Sequence, residues 1–262
     1  MAKVNIVGIV GSPRHHSNTE VMVREALEGA KETGNVETQL LLLAGKKINP
    51  CLSCFKCNEK RDFCIFRFQD DMHEVYEKYL AADGLIIGSP VYHLSISGIL
   101  KNAIDRLGQG LNSKYQATGR PWFAKVGGVL TQGMSRFGGQ EYALQFLVSH
   151  LLLMNNLVVA PGKGDAIGAI GSFNSQAIRQ VGAIAEYDTE AITQSRTLGK
   201  RVAELTKIVR AGAEALKDEL PEEYNKYLLQ RQAISDYARS TQRWESKNVR
   251  DHPDNINERN RI

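Results

Sequence analysis

At 262 residues, 42% hydrophobic and 24% charged, the chain has the size and composition of one large soluble domain or one domain with an appendage. The formal net charge of +4, without a dense Lys/Arg cluster, offers no footprint for nucleic acid, and no apolar run approaches the roughly 20 residues that a bilayer span needs. The opening Met1–Val7 holds one lysine and an apolar run interrupted by Asn5, and it leads to a glycine turn rather than a small-residue cleavage site; it reads as a buried strand, not a signal peptide, and the expected location is the cytoplasm.

Residues 3–10 (KVNIVGIV) are a short apolar, β-branched run ending at Gly11-Ser12-Pro13, which predicts a fully buried strand. A helix follows over 19–33, with Val21, Val23, Ala26 and Ala30 largely on one side, then a second strand over 36–43. The segment 44–70 has no clear period and carries every cysteine of the chain. A helix over 71–81 (Met72, Val75, Tyr76 and Leu80 inward), a third strand over 85–90, and a helix from Ile96 to Leu107 come next. A fourth strand over 126–130 leads into a glycine-bearing loop to Gly139; a helix over 141–154, a fifth strand over 157–160 and a helix over 187–209 complete the alternation. Short strands, apolar on both faces and alternating with helices, predict an α/β fold: a five-stranded parallel sheet with helices on both faces, wound by right-handed crossovers. Ligands of such sheets sit at the carboxyl ends of the strands. The domain is expected over 1–207. Residues 208–262 are expected to form a helical C-terminal extension, in which Pro221 opens a helix carrying Tyr224, Tyr227, Leu228, Ile234 and Tyr237, and whose polar end from 245 reads either as disordered or as lying across a neighbouring subunit.

Residues 11–19, GSPRHHSNT, join the first strand to the first helix. A helix N-terminus presents unpaired N–H groups and a partial positive charge, so it favours an anion. Ser12, Ser17, Asn18 and Thr19 add neutral donors and Arg14 adds charge, a set suited to a phosphate monoester; Ser, Asn and Thr are also ordinary helix caps. The spacing is not that of a dinucleotide fingerprint.

With this loop, LIIGSPVYHLSISGILKNAIDR at 85–106 and TQGMSRFGGQE at 131–141, the chain resembles the flavodoxin-like family of NAD(P)H-dependent FMN reductases over residues 3–209. The resemblance implies that the first loop holds the FMN phosphate and that Pro90, Val91, Tyr92 and His93 lie along the isoalloxazine ring. The loop containing Thr131, Gly133 and Gly139 would close the other side, its glycines permitting close backbone approach. No residue of the chain stands out as a proton-transfer catalyst; His93 is the candidate, and it is expected to have no essential role. Without the resemblance, Tyr92 and His93 read as a packed aromatic and a loop histidine.

Cys51, Cys54, Cys57 and Cys64 follow a C-x2-C-x2-C-x6-C pattern. Four thiols packed into one short loop are poor staples for a domain of this size and a good ligand set. The compact turn suits an iron–sulfur cluster, which needs converging thiolates; a four-cysteine zinc site and free thiols, including a redox dithiol pair, are the alternatives. Leu52, Phe55, Phe63, Ile65 and Phe66 are expected to exclude solvent, and Lys56, Lys60 and Arg61 to offset thiolate charge.

The cysteine spacing, Asp70-Asp71-Met72 and Ser135 to Glu141 resemble the iron–sulfur flavoproteins of anaerobic archaea and bacteria. That likeness implies a [4Fe–4S] cluster on Cys51, Cys54, Cys57 and Cys64 beside the FMN of a neighbouring subunit, in a homodimer or homotetramer. It implies single electrons passed from ferredoxin through the cluster to FMN and on to quinone, oxygen or peroxide. The alternatives are an NAD(P)H-dependent FMN or quinone reductase without a cluster, and a non-catalytic electron carrier or regulatory flavin-binding module. The tail beyond 207 lies outside the resemblance.

Overall fold

The computed structural model describes residues 3–115, 125–135, 137–162, 167–172 and 182–219, together with 234–235, 237–239 and 241–242. The strands are β1 (Val4–Val10), β2 (Val36–Leu42), β3 (Gly84–Pro90), β4 (Val126–Gly133), β5 (Leu157–Val158) and β6 (Ala169–Ser172). The helices are α1 (Asn18–Lys31), α2 (Lys56–Lys60), α3 (Met72–Ala81), α4 (Gly98–Tyr115), α5 (Gln140–Leu153), α6 (Ile184–Tyr187) and α7 (Thr189–Ala215). All pairings are parallel, in the order β2-β1-β3-β4-β5, with β6 also pairing with β4.

Alternation along the central strands builds two cores. Val7 and Ile9 of β1, Leu85 and Ile87 of β3 and Val129 of β4 face α3, α4 and α5. Ile6, Val10, Ile86, Val126 and Leu130 face α1 and α7. Both faces are therefore apolar, as a parallel sheet requires. The α1–α7 crossing is unusually close. A Cβ on Gly199 would stand 1.7 Å from the Ala26 carbonyl oxygen, and one on Gly29 would stand 2.1 Å from that of Arg196. Arg196 pairs with Glu25 at 2.5 Å and also with Glu32, and Lys200 pairs with Glu32 at 2.6 Å, along the rim of this contact.

The strands and helices predicted over residues 3–209 are present, with four differences. Helix α4 runs on past Leu107 to Tyr115. Strand β4 runs on to Gly133, so Thr131 and Gly133 stand on its end rather than in the following loop. The fifth strand position is shared: β5 pairs with the start of β4 (Val126↔Leu157) and β6 with its end (Leu130↔Ala169). The short helices α2 and α6 were not expected. Residue 207 lies inside the continuous helix α7. Of the expected tail helix, Pro221, Tyr224, Tyr227 and Leu228 lie outside the described residues, whereas Ile234 and Tyr237 lie within them. No helix among the described residues is long and apolar enough to cross a membrane.

Candidate functional site

Three loops meet at the carboxyl ends of β1, β3 and β4. The first leaves β1 at Gly11, whose N–H donates to the Gly88 carbonyl at 2.7 Å and whose carbonyl accepts from the Ser97 hydroxyl. Ser12 is buried, and its hydroxyl accepts the Arg14 N–H at 3.2 Å, a local turn that leaves the Arg14 side chain exposed. Ser17 is the N-cap of α1: its hydroxyl accepts the Glu20 N–H at 3.2 Å, while the Glu20 carboxylate accepts the His16 N–H at 2.8 Å, a reciprocal cap. The Asn18 side-chain oxygen accepts the Ile184 N–H at 3.2 Å and ties α1 to α6, so that oxygen serves the fold. Thr19 is fully buried, and its hydroxyl has no hydrogen-bond partner among the described residues. A buried hydroxyl left unpaired at a helix N-terminus is costly unless something binds there, and a phosphate oxygen meets that need.

The second loop follows β3. Tyr92 and Ser95 exchange backbone hydrogen bonds of 2.8 and 3.1 Å around His93 (φ 46°) and Leu94 (φ 69°), a tight turn with both central residues left-handed. Such backbone in non-glycine residues is stored strain of the kind found at ligand sites. The Ser89 hydroxyl accepts the Ser97 N–H at 3.1 Å and anchors the turn to α4. Pro90 ends β3, and the Val91 N–H donates to the Gln132 carbonyl at 2.8 Å, joining this loop to the end of β4.

The third loop leaves β4 after Gly133. Gly139 has φ 101°, and a Cβ there would lie 2.6 Å from the Leu94 Cα, so only glycine lets the second and third loops touch. Gln140 organises the loop from the start of α5: its side-chain oxygen accepts the Gly138 N–H at 2.8 Å and its amide donates to the Ser135 carbonyl. The Thr131 hydroxyl donates to the Gln140 carbonyl at 3.4 Å. Arg136 lies outside the described residues. Tyr92, Leu94, Met134 and above all Phe137, 94% exposed, leave the rim apolar and open.

The cysteine segment is clamped at both ends. Asp70 accepts the Asn49 N–H at 2.9 Å and pairs with Arg106 of α4, whose guanidinium also donates to the Asn49 carbonyl at 3.3 Å. Lys47 and Asp71 exchange bonds of 2.7 and 2.9 Å, and Asn102 donates to the Ile48 carbonyl at 3.0 Å. Arg106 and Asp70 are almost wholly buried. Burial pulls the Arg106 pKa down, but Asp70 and then Cys64 outweigh it and hold the pKa above its ordinary value. The Tyr76 hydroxyl accepts the Cys64 N–H at 3.4 Å and donates to the Arg106 carbonyl; its pKa is raised, first by burial and then by the charge of Cys64.

Within the clamp Cys57 is buried on α2 and accepts the Ser113 hydroxyl at 3.3 Å, Cys54 and Cys64 are half-buried, and Cys51 is exposed. All four are free thiols. As donors they suit an iron–sulfur group. In position they do not yet form one, because among the described residues no three His, Cys, Asp or Glu side chains are gathered to hold a metal. Of the expected apolar surround only Phe63 is fully buried, and Leu52 and Phe55 are 63% and 58% exposed. The buried cations near the cysteines are Arg67 and Arg106, not Lys60 and Arg61, which are exposed.

Residues 4–165 match the NADPH-dependent FMN reductase family. The chain belongs to that family. An iron-sulfur flavoprotein of Methanocaldococcus jannaschii is 36% identical over 207 residues, which are 79% of this chain and all of that protein. An iron-sulfur flavoprotein of Methanosarcina thermophila is 38% identical over 167 residues, 64% of this chain and 82% of that one. Among solved structures, a flavone reductase superposes with a TM-score of 0.55 at 19% identity, covering 79% of this chain and 64% of its own; an azoreductase of Bacillus anthracis gives 0.54 at 14%, covering 76% and 99%. The last two show the fold alone.

The protein is thus an iron–sulfur-flavoprotein-like member of the FMN reductase family and a flavin-dependent oxidoreductase. The three loops bring together the residues singled out in the sequence for FMN. Sequence reasoning missed Arg106, Tyr76 and Arg67. Arg106 did carry a signal, a charge on the apolar stripe of a helix between Ala103 and Leu107.

Proposed function

We propose that this protein transfers electrons through FMN held by the three loops, with Cys51, Cys54, Cys57 and Cys64 as the ligands of a [4Fe–4S] cluster. The carrying observation is the cysteine segment: four free thiols on a stretch whose ends are pinned to each other and to α4 by Asp70 and Arg106, in a chain that matches an iron-sulfur flavoprotein over that relative's full length. Arg106 and Asp70 would hold the segment closed while the thiolates converge. The N-terminus of α1, with Ser12, Arg14, Ser17, Asn18 and Thr19, would receive the FMN phosphate. Backbone groups of Pro90, Val91, Tyr92 and His93 would meet the ring edge, and the end of β4 at Thr131 and Gly133, with the loop that follows it to Gly139, would lie across its other side.

A bound cluster supplies one electron at a time and a bound flavin one or two, so the pair suits a ferredoxin donor and a quinone, oxygen or peroxide acceptor. The exposed Leu52, Phe55 and Phe137 support assembly as a homodimer or homotetramer, in which a second copy covers them. Protein purified without oxygen should hold FMN with about four iron and four sulfide per chain, and Cys57→Ala should lose the iron and keep the FMN.

A second reading is favoured by the ungathered thiols and by the family's NADPH dependence: an NAD(P)H-dependent FMN or quinone reductase with no cluster. A clean flavin spectrum without iron, in a protein that NAD(P)H reduces with turnover, would replace the first reading with this one.

A further inference from the structure

The M. jannaschii relative is matched along its whole length by 79% of this chain, so the rest of the chain lies beyond it. One residue of the C-terminal region, Tyr237, is 7% exposed and packs far from its neighbours in sequence. Its ring meets Phe63 edge to face, with centroids 5.1 Å apart and planes at 85°, and stacks on Tyr76 at 5.8 Å and 27°. The Arg67 guanidinium stands 5.6 Å from its centroid, and its hydroxyl donates to the His73 carbonyl at 2.8 Å. These four partners come from the cysteine segment and the helix that follows it. Phe63 adjoins Cys64 in the chain, and Tyr76 holds the Cys64 backbone N–H. Phe63 is also edge-on to Tyr76 at 5.4 Å and to Tyr115 of α4 at 6.4 Å, so Tyr237 joins an aromatic cluster with Cys64 at its margin.

We propose that Tyr237 is seated in this aromatic pocket as a key and itself covers the Cys64 side of the cysteine segment. Aromatic side chains suit this work: edge-to-face and stacked contacts fix orientation, and the hydroxyl finds a buried acceptor. Tyr237 is a positioning residue that acts on Cys64 through Phe63 and Tyr76. The amides that depend on it are those whose bonds frame the segment: Asp62 to the Cys57 carbonyl at 3.1 Å, Arg67 to the Cys64 carbonyl at 3.1 Å and His73 to the Arg67 carbonyl at 3.0 Å. With the cover lifted, local opening of this region should become easier while the sheet stays closed. The inference does not rest on the cluster, because it concerns backbone and aromatic packing.

The test is amide hydrogen exchange by mass spectrometry on the full chain as purified, with FMN and iron assayed beside it, comparing wild type, Tyr237→Ala and Tyr237→Phe. In Tyr237→Ala, peptides spanning 57–76 should exchange at least tenfold faster, and peptides of β1 and β3 should be unchanged. Tyr237→Phe keeps the ring and its contacts with Phe63 and Tyr76, and should stay within about threefold of wild type although it loses the hydroxyl that donates to His73. Wild-type exchange in 57–76 of Tyr237→Ala would overturn the proposal. So would an equal rise across the whole chain, which would make Tyr237 a general stabiliser and not a cover.

Discussion

Replacing Thr19 with valine separates the cost of an unfilled site from the strength of a filled one. The two side chains have nearly the same shape, and the Thr19 methyl already packs toward β3, about where a Cβ on Gly88 would stand at 3.2 Å. What changes is a buried hydroxyl that has no hydrogen-bond partner among the described residues. Leaving such a group unpaired costs about 1–3 kcal/mol, so apo Thr19→Val should be more stable than apo wild type, by about 1 kcal/mol at the low end. For a protein of this size that is a rise in Tm of about 2–4 °C. Flavin binding should move the other way. A hydrogen bond to a charged phosphate contributes about 1.5–3 kcal/mol, so Kd for FMN should rise about 10- to 150-fold. Titrating FMN into apoprotein by flavin fluorescence, and melting the same apoprotein alone, gives both numbers. Thr19→Ser, which keeps the hydroxyl, should hold Kd within about threefold. An unchanged Kd in Thr19→Val, or an apo form less stable than wild type, would refute the assignment of this hydroxyl to the phosphate.

Gly199→Ala puts a methyl 1.7 Å from the Ala26 carbonyl oxygen, a backbone atom that cannot turn aside; it should cost about 2–4 kcal/mol, whereas Gly212→Ala, with nothing within 4 Å on the same helix, should gain about 0.5 kcal/mol, and urea unfolding of the pair checks the opposite signs. His150 is 6% exposed and burial lowers its pKa to about 4, with Asp105 pulling weakly upward. The folded state therefore resists a proton that the unfolded chain accepts below about pH 6.5: this group adds no pH dependence above 6.5 and removes about 2 kcal/mol by pH 5, a loss that should be absent from the pH–stability curve of His150→Leu. Asp70→Asn leaves Arg106 buried without its counter-charge and weakens the clamp at Asn49; it should cost about 3–5 kcal/mol in denaturant unfolding, and a loss below 1 kcal/mol would mean the pair is dispensable to the fold.

The sheet was legible because its evidence is local. Each of β1 and β3 carries its own signature, a short run apolar on both faces, and the alternation with helices then leaves few topologies. The loops at the carboxyl ends of β1, β3 and β4 were legible for a related reason, since a cap, a glycine and a turn are written in consecutive residues. The split fifth position was not: β5 has two residues and β6 four, too few to show a period, and each exists because β4 offers it a free edge.

The extension of α4 shows how a local rule misleads when a distant partner sets the residue. The expected helix stopped at Leu107, just short of Gly108 and Gly110. In the structure Gly110 lies mid-helix because a Cβ there would fall 2.0 Å from the Tyr76 hydroxyl and 2.8 Å from the Cys64 nitrogen. The glycine is thus explained by the cysteine segment, whose own sequence has no period to announce its shape. The same segment is held by Asp70 at its own end, by Arg106 from α4 and by Tyr237 from the far end of the chain. Sequence marks the thiols as a candidate ligand set, because their chemistry is carried by each residue alone. Their enclosure depends on contacts between residues 36 to 174 positions apart, and only the folded chain brings those together.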